Sequence, residues 1–507
     1  MAGKKMTRRE FLIGSAVGVA GTVALGGVAR AAMMGGGMGG SGTTAINPPP
    51  GALLKEPPLA INLSPVAGTV HVALEAKTAS VPINGTTARL LTYNGSFPAP
   101  TIRVRRGDRL RIDFKNSLPN TGEINILGHQ RYDTNLHTHG LHVSPNDRSD
   151  NMMRMFMPGA SDYYEYDLSK QEAGTFNFYH PHLHGTVAEQ YWGGMVGALV
   201  VEDDAETAKI LSGFEEKLLI LKDITLSGGA PEPYTSVMDF MHGKEGNSVM
   251  VNGQVNPVLP IRPGQVQRWR IVNASNARFY HLSLEGHSFQ VIGTEGGLLD
   301  RPYPHTKFLL SPGERVDILV KAGKSGTYRL LAVPYARQGM MTSATVTLMT
   351  MQCSGTALNH SIPATINPNA KRLAMNTTAL PKRTLALSMA QGRGYINGIS
   401  FQDMDHTFEI HSTLGTYEVW EIVNNSGMDH PFHQHVNPCQ VLSIAGGDAA
   451  YASFLTKSPA WKDTVLVPKW GKVTMLVPVM DYPGMTMFHC HIIEHEDVGM
   501  MGAWMIM

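Results

Sequence analysis

Cysteine is scarce in this chain: Cys353, Cys439 and Cys490 are the only three among 507 residues. A closed, cysteine-rich site of the structural-zinc kind cannot be built from the one that lies among histidines. Charge is scarce too. Charged residues make up 16%, and 42 Lys and Arg face 41 Asp and Glu, a formal net charge of +1. Neither sign dominates, so there is no electrostatic case for a nucleic-acid partner. Beyond the N-terminus no segment is long and apolar enough to span a bilayer, and no stable membrane anchor is expected. Abundance lies elsewhere, in 53 Gly, 31 Pro and a 43% hydrophobic content. Many turns around a large core suit an all-β protein, and the length suits about three domains.

The N-terminus reads Met-Thr-Arg-Arg-Glu-Phe-Leu-Ile-Gly, with Arg8 and Arg9 followed by apolar Phe11 and Leu12. This is the pattern of a twin-arginine export signal. A Gly/Ala/Val stretch follows to Val28, and Ala29-Arg30-Ala31 fits the A-x-A cleavage pattern. The expectation is a signal peptide over 1–31 and a periplasmic or otherwise exported protein, rather than an anchored one. That pathway carries folded proteins, so a metal could be acquired before export. Residues 32–59 are rich in Gly, Met and Pro and are expected to be flexible.

Histidine carries the chemistry. Residues 488–501 read Phe-His-Cys-His-Ile-Ile-Glu-His-Glu-Asp-Val-Gly-Met-Met. Thiolate, imidazole and thioether stand together there. Soft sulfur beside imidazole suits copper, and two His with one Cys and a weak axial Met form the ligand set of a blue electron-transfer copper. Three more clusters occur: His137-Thr138-His139, His180-Pro181-His182 and His430-Pro431-Phe432-His433-Gln434-His435. In an extended strand, alternate side chains share a face, so each H-x-H aims two imidazoles at one spot. Four such pairs give eight converging imidazoles. His430 and His495, with Cys490 and Met500, remain for the blue site. Met501 is the local alternative to Met500.

With all four motifs present in order, the chain resembles the multicopper oxidases, specifically bacterial laccase-like and cuprous oxidases, from about Val70 to the C-terminus. The resemblance implies four copper ions per chain. His430, Cys490, His495 and Met500 would hold one type 1 copper. His137 and His433 would hold one type 2 copper. His139, His180, His182, His435, His489 and His491 would hold the type 3 pair. It also implies the reaction: four one-electron oxidations of a reducing substrate (a phenol, an aromatic amine or Cu(I)) coupled to reduction of dioxygen to water. Dioxygen and that small reductant are then the partners, and a monomer is expected.

A similar phrase recurs three times. Tyr93-Asn94-Gly95, Val251-Asn252-Gly253 and Ile396-Asn397-Gly398 are each followed by a strand-like run ending in Asn116, Asn273 or Asn424. The spacing suits duplicated domains rather than a solenoid. Alternating runs such as Arg268-Trp269-Arg270-Ile271-Val272 predict half-buried strands. The resemblance makes each copy a cupredoxin-like Greek-key β-sandwich, placed at 60–203, 204–355 and 356–507. Copper motifs fall only in the first and third copies, so the second reads as a spacer.

Oxygen reduction consumes protons, which calls for a carboxylate relay. Glu496 matches the acidic relay position of the bacterial laccases that the chain resembles. Asp150 is the second choice, with Asp147 close behind. Methionine is clustered at 33–38, at Met152, Met153, Met155 and Met157, at 340–351 and near the C-terminus. Thioethers suit Cu(I), and also suit ordinary packing. Cys353 and Cys439 are open to pairing, although a small buried core residue is the better reading of Cys439. The competing functions are a copper-binding or copper-resistance protein without turnover, a copper nitrite reductase, and a non-catalytic scaffold of the same fold. A nitrite reductase needs no type 3 pair. A scaffold would not retain every ligand.

Overall fold

A computed structural model describes residues 45–340 and 342–507. The expected signal peptide, its cleavage site and Met33, Met34 and Met38 lie outside the described residues. Within them the chain forms three pairs of β-sheets, drawn from residues 69–201, 215–353 and 382–506, and one small ribbon pairing Leu226–Ser227 with Ala230–Pro231. This is the expected all-β architecture of three cupredoxin-like sandwiches.

The recurring phrase is the key to each sandwich. Asn94, Asn252 and Asn397 all take positive φ (56°, 53° and 50°), and the glycines after them follow at 75°, 75° and 77°. Two consecutive left-handed residues make the tight turn that Asn-Gly favours. The phrase-ending Asn is equally uniform. Asn116 donates its side-chain amide to the carbonyls of Tyr132 and Phe156, Asn273 to those of Arg278 and Leu310, and Asn424 to those of Met428 and Val467. Each therefore ties a strand end to the loop beyond it. The strand ending in that Asn pairs in parallel with the opening strand of its copy: Thr69–Ile83 with Arg109–Asn116, Glu215–Ile224 with Val266–Asn273, and Lys382–Ala390 with Thr416–Asn424.

Alternation works as expected in Arg109–Asn116, where Leu110, Ile112 and Phe114 are buried between more exposed charged residues. It fails in Val266–Asn273, which is buried along its whole length, arginines included. Arg268 is held by Asp203 at 2.5 Å and Asp317 at 2.5 Å, and Arg270 by Asp203 at 3.1 Å and Glu216 at 2.9 Å. Paired charges make this face buriable, so the strand is a two-sided interface rather than a half-exposed one.

Of the stretch expected to be flexible, residues 45–59 run as an extended strap. Backbone bonds join Ile46 to Thr345, Leu54 to Val258 and Ala60 to Thr101. Proline-rich chain is already extended, and the strap adds to strand edges of the second and first sandwiches. Cys353 and Cys439 are both free and buried, the latter with its sulfur 3.5 Å from that of Met475.

Candidate metal centres

Strand parity separates two clusters. In the third sandwich, His430–Gln434 lies antiparallel to Gly484–Cys490, with Phe432 opposite Cys490 and His433 opposite His489. Side chains alternate along each strand. Cys490 therefore points away from His489 and His491, and His430 points away from His433 and His435. Cys490 and His430 share one face, and the neighbouring histidines share the other.

On the first face, Cys490 Sγ lies 3.4 Å from His430 Nδ1 and 3.5 Å from His495 Nδ1, and the two nitrogens are 3.2 Å apart. All three residues are fully buried. Met500 adjoins them: Cys490 N donates to its carbonyl at 3.0 Å, and its own N donates to His495 O at 2.9 Å. Met500 packs in the same core as Cys490, whereas Met501 packs with Phe401, Met487 and Ala503. Of the two methionines, only Met500 is in that core.

On the second face, the strand His137–His139 of the first sandwich pairs with Phe176–His180 so that His137 faces His180. The first and third sandwiches then meet imidazole to imidazole. His182 Nε2 is 3.0 Å from His489 Nε2, which is 3.2 Å from His435 Nε2. His139 Nδ1 is 3.2 Å from His491 Nε2. His137 stacks on His435 at 4.1 Å and His139 on His433 at 3.8 Å. All eight predicted histidines converge here, and all are buried.

Most of the outward ring nitrogens are tied down, although His435 Nδ1 and His491 Nδ1 have no hydrogen-bond partner among the described residues. His137 Nδ1 bonds Asp150 at 2.9 Å, His180 Nδ1 bonds the Pro181 carbonyl at 2.8 Å, and His433 Nδ1 bonds the Asp463 carbonyl at 3.0 Å. His139 Nε2 bonds Asp463 Oδ1 at 3.2 Å, His430 Nε2 bonds Ser426 Oγ at 2.8 Å, and His495 Nε2 bonds the Met241 carbonyl at 3.3 Å. A neutral imidazole has one donor and one acceptor nitrogen, so the inward nitrogen presents a lone pair. His137 Nε2, His180 Nε2 and His433 Nε2 have no hydrogen-bond partner among the described residues. Burial pushes the imidazoles well down, His430 to about 3 and His182 and His489 to about 4, so they stay neutral.

Lone pairs converging at 3.0–3.5 Å in a dry interior repel unless a cation lies among them. The Cys490–His430–His495 triangle has its centre about 2 Å from each corner, near the length of a metal–nitrogen bond. Both clusters fit metal ions, and their soft nitrogen and sulfur donors fit copper.

Glu496 is fully buried, 3.5 Å from His182 Nδ1 and 3.2 Å from His489 Nδ1. Neither contact has hydrogen-bond geometry, and both carboxylate oxygens lack a donor. Burial raises its pKa, partly offset by His182 and His433. Asp150 is also buried. Burial pushes it up to about 7 against the bonds from Thr138 N and Oγ1. Asp147 is different: it is exposed, at φ 51°, in the turn before Asp150, and drops out as a relay.

The short helix Ile493–Asp497 sends three carboxylates three ways. Glu496 faces the eight histidines. Glu494 accepts from Tyr234 Oη at 2.5 Å and Lys244 N at 3.1 Å in the second sandwich. Asp497 accepts from Gly185 N and Ala188 N, both at 2.7 Å, in the first. Sequence reasoning missed Glu494, Asp497 and Asp463. The first two were visible as acids one and two residues from His495, but Asp463 had no motif. It also missed the helix Val237–His242, whose Met241 carbonyl covers His495, leaving that ring fully buried. An open cavity of about 510 Å³ reaches the eight-histidine cluster at His137 and Asp463, past His142, Lys170, Asn437 and Asp481.

Multicopper oxidase family models match residues 75–206, 217–354 and 368–507. A multicopper oxidase of Staphylococcus aureus is 29% identical over 424 residues, covering 82% of this chain and 84% of that protein. A laccase of Bacillus subtilis is 29% identical over 462 residues, covering 82% and 89%. Among solved structures, a Campylobacter jejuni multicopper oxidase, described as a metallo-oxidase, matches with a TM-score of 0.77 and 30% identity over 90% of this chain and 96% of that one.

Proposed function

The chain belongs to the multicopper oxidase family, and from that premise we propose the metal assignment of each residue, the reductant and the location. It is an oxidoreductase with dioxygen as acceptor. His430, Cys490, His495 and Met500 hold one type 1 copper, His137 and His433 a type 2 copper, and His139, His180 and His491 with His182, His435 and His489 the two type 3 coppers. Copper bound there supplies one-electron redox chemistry, so that four electrons taken singly from a reductant convert dioxygen and four protons to two waters. The observation that carries the assignment is the convergence of eight buried, neutral imidazoles where two sandwiches meet, with His137, His180 and His433 Nε2 lacking any hydrogen-bond partner among the described residues.

The protein's own residues do the rest. Cys490 closes the first site while the peptide bonds on either side of it lead to His489 and His491 of the second. Glu496 holds a proton on a carboxylate that has no competing donor, beside His182 and His489. Asp150 fixes the tautomer of His137 and stands as the second relay group. The cavity past His142 and Asn437 lets dioxygen and water reach His137.

Two reductant classes remain, and one observation favours a metal ion. His495 is fully buried under the Val237–His242 helix, so a phenol cannot touch its ring. That helix carries an exposed Met238 and a half-buried Met241, soft ligands for Cu(I). Cu(I) is therefore the favoured substrate, with small phenols and aromatic amines as slower ones. The test compares kcat/KM for Cu(I) and for a phenol. A larger value for the phenol overturns this order. Copper analysis tests the site assignment: about four Cu per chain is expected, and one or none refutes it. Export by the twin-arginine pathway as a monomer completes the reading. Replacing Arg8 and Arg9 by Lys should leave the protein in the cytoplasm.

A further inference from the structure

The second sandwich contributes no histidine to either cluster, yet it reaches the eight-histidine site. We propose that Arg315 is a positioning residue for that site: it locks Asp463, which in turn sets the tautomer and aim of His139 and His433. The inference rests on the assignment of those histidines as copper ligands.

Arg315 is 1% exposed. Its guanidinium forms a two-pronged pair with Asp463, Nη1 to Oδ1 at 2.7 Å and Nη2 to Oδ2 at 2.6 Å. Two further donors reach the first sandwich, Nε to the Phe176 carbonyl at 2.9 Å and Nη2 to Asn177 Oδ1 at 3.3 Å, and Nη1 also donates to the Gly313 carbonyl at 3.1 Å. One side chain of the second sandwich thus joins the third to the first where their histidines meet. Both ends of the pair are anchored. Glu295 Oε1 accepts from Arg315 N at 2.9 Å and from Lys462 Nζ, next to Asp463, at 2.7 Å. Lys462 also bonds Glu314, next to Arg315, at 2.7 Å.

Asp463 passes this order on. Its Oδ1 accepts from His139 Nε2, which leaves His139 Nδ1 as the lone-pair nitrogen facing His491. Its backbone carbonyl accepts from His433 Nδ1, which frees His433 Nε2. Thr464 Oγ1 also lies 3.2 Å from His139 Nε2, and it donates to Asp463 Oδ1 at 2.9 Å, so a carboxylate free to rotate would loosen both partners of that nitrogen. The fork of Arg315 prevents rotation, as a single lysine ammonium could not. The turn before Arg315 seats the assembly: Gly313 lies at φ 82°, and a Cβ there would fall 2.7 Å from His491 Cγ. Closure on His491 therefore requires glycine at that position.

The test uses the copper-loaded full-length protein. Arg315→Lys keeps the charge and removes the fork. The expected result is an unchanged blue band, a changed paramagnetic-resonance spectrum of the eight-histidine copper, and loss of that copper to a chelator about 10-fold faster. Thr294→Val is the control. It removes another bond between the second and third sandwiches, Thr294 Oγ1 to the Trp461 carbonyl at 2.8 Å, and should leave copper retention alone. Unchanged spectrum and retention in Arg315→Lys overturn the proposal, as does equal loosening in Thr294→Val or loss of the blue copper along with the rest. Should Arg315→Lys not fold, Asp463→Asn decides: selective loss of the eight-histidine copper supports the proposal, and full retention overturns it. Wild-type protein lacking copper beyond the Cys490 site would instead sink the ligand assignment itself.

Discussion

The two metal centres lie on opposite faces of one strand but are built differently. The Cys490 site takes its four side chains from one sandwich, and three of them, Cys490, His495 and Met500, fall within eleven consecutive residues. The eight-histidine site draws four residues from each of two sandwiches, and its outer bonds come from Asp150, Asp463 and the Pro181 and Cys490 carbonyls. A site within one domain is held by local register and forms when that domain folds. A site between domains exists only when they dock, so it needs bracing that a local motif does not show. The two should therefore fail independently and for different reasons.

The largest effect comes from breaking the first site alone. Cys490→Ser removes its soft ligand, so the blue band and substrate oxidation should both vanish. The other face of the strand keeps His489 and His491, so copper there should stay bound. Copper analysis with the visible spectrum checks this. Parallel loss of copper from both sites would show that they are not separable.

Next comes the second site. Glu496→Gln leaves every histidine in place but removes a proton carrier beside His182 and His489. Oxygen reduction should slow by about 100-fold, a usual share for general acid–base catalysis. Anaerobic reduction of the blue copper should be unaffected. Stopped-flow traces under air and under nitrogen separate the two steps, and an unchanged reoxidation rate removes Glu496 from the relay.

This contrast also marks where the sequence was legible. Alternation in H-x-H, a property of two-residue periodicity, was enough to name the eight histidines that converge between the first and third sandwiches, while His430, Cys490, His495 and Met500 were named from donor chemistry and the resemblance. The Asn-Gly turn and the closing Asn, being local, revealed the threefold repeat. Tertiary pairing was not legible. Arg268 and Arg270 read as exposed because their partners Asp203, Glu216 and Asp317 lie elsewhere in the chain. Asp463 follows a lysine in a stretch without a motif, and only the docked domains reveal that it meets His139. Asp147 ranked only just behind Asp150 until the structure placed one exposed in a turn and the other buried.

A smaller effect tests the axial position. Met500 shares a core with Cys490 and accepts from its backbone N, whereas Met501 packs with Phe401 and Met487. Met500→Leu conserves volume but removes the thioether that stabilises Cu(II). The blue colour should persist and the potential rise by on the order of 60 mV, a tenfold change in a one-electron equilibrium. Met501→Leu should leave the potential where it was. Redox titration of both variants decides, and the reverse pattern reassigns the axial ligand to Met501.

The smallest effect separates two groups of methionines that composition alone cannot rank. Met153, Met155 and Met157 are 54%, 54% and 60% exposed, and Met152 packs with the Phe401 cluster rather than with Cys490. Met238 and Met241 belong to the helix whose backbone touches His495. A soft ligand helps Cu(I) oxidation only if it delivers the ion close to the ring that accepts the electron. Replacing Met152, Met153, Met155 and Met157 together by Leu should therefore change neither Cu(I) nor phenol oxidation by more than about twofold, since volume is conserved. Replacing Met238 and Met241 by Leu should lower Cu(I) oxidation while phenol oxidation holds, because a phenol gains nothing from sulfur. Steady-state rates for both substrates on both variants settle the matter. Loss of Cu(I) oxidation in the quadruple variant would move the docking point to the 152–157 loop. Equal rates throughout would leave Cu(I) as an incidental substrate of a laccase.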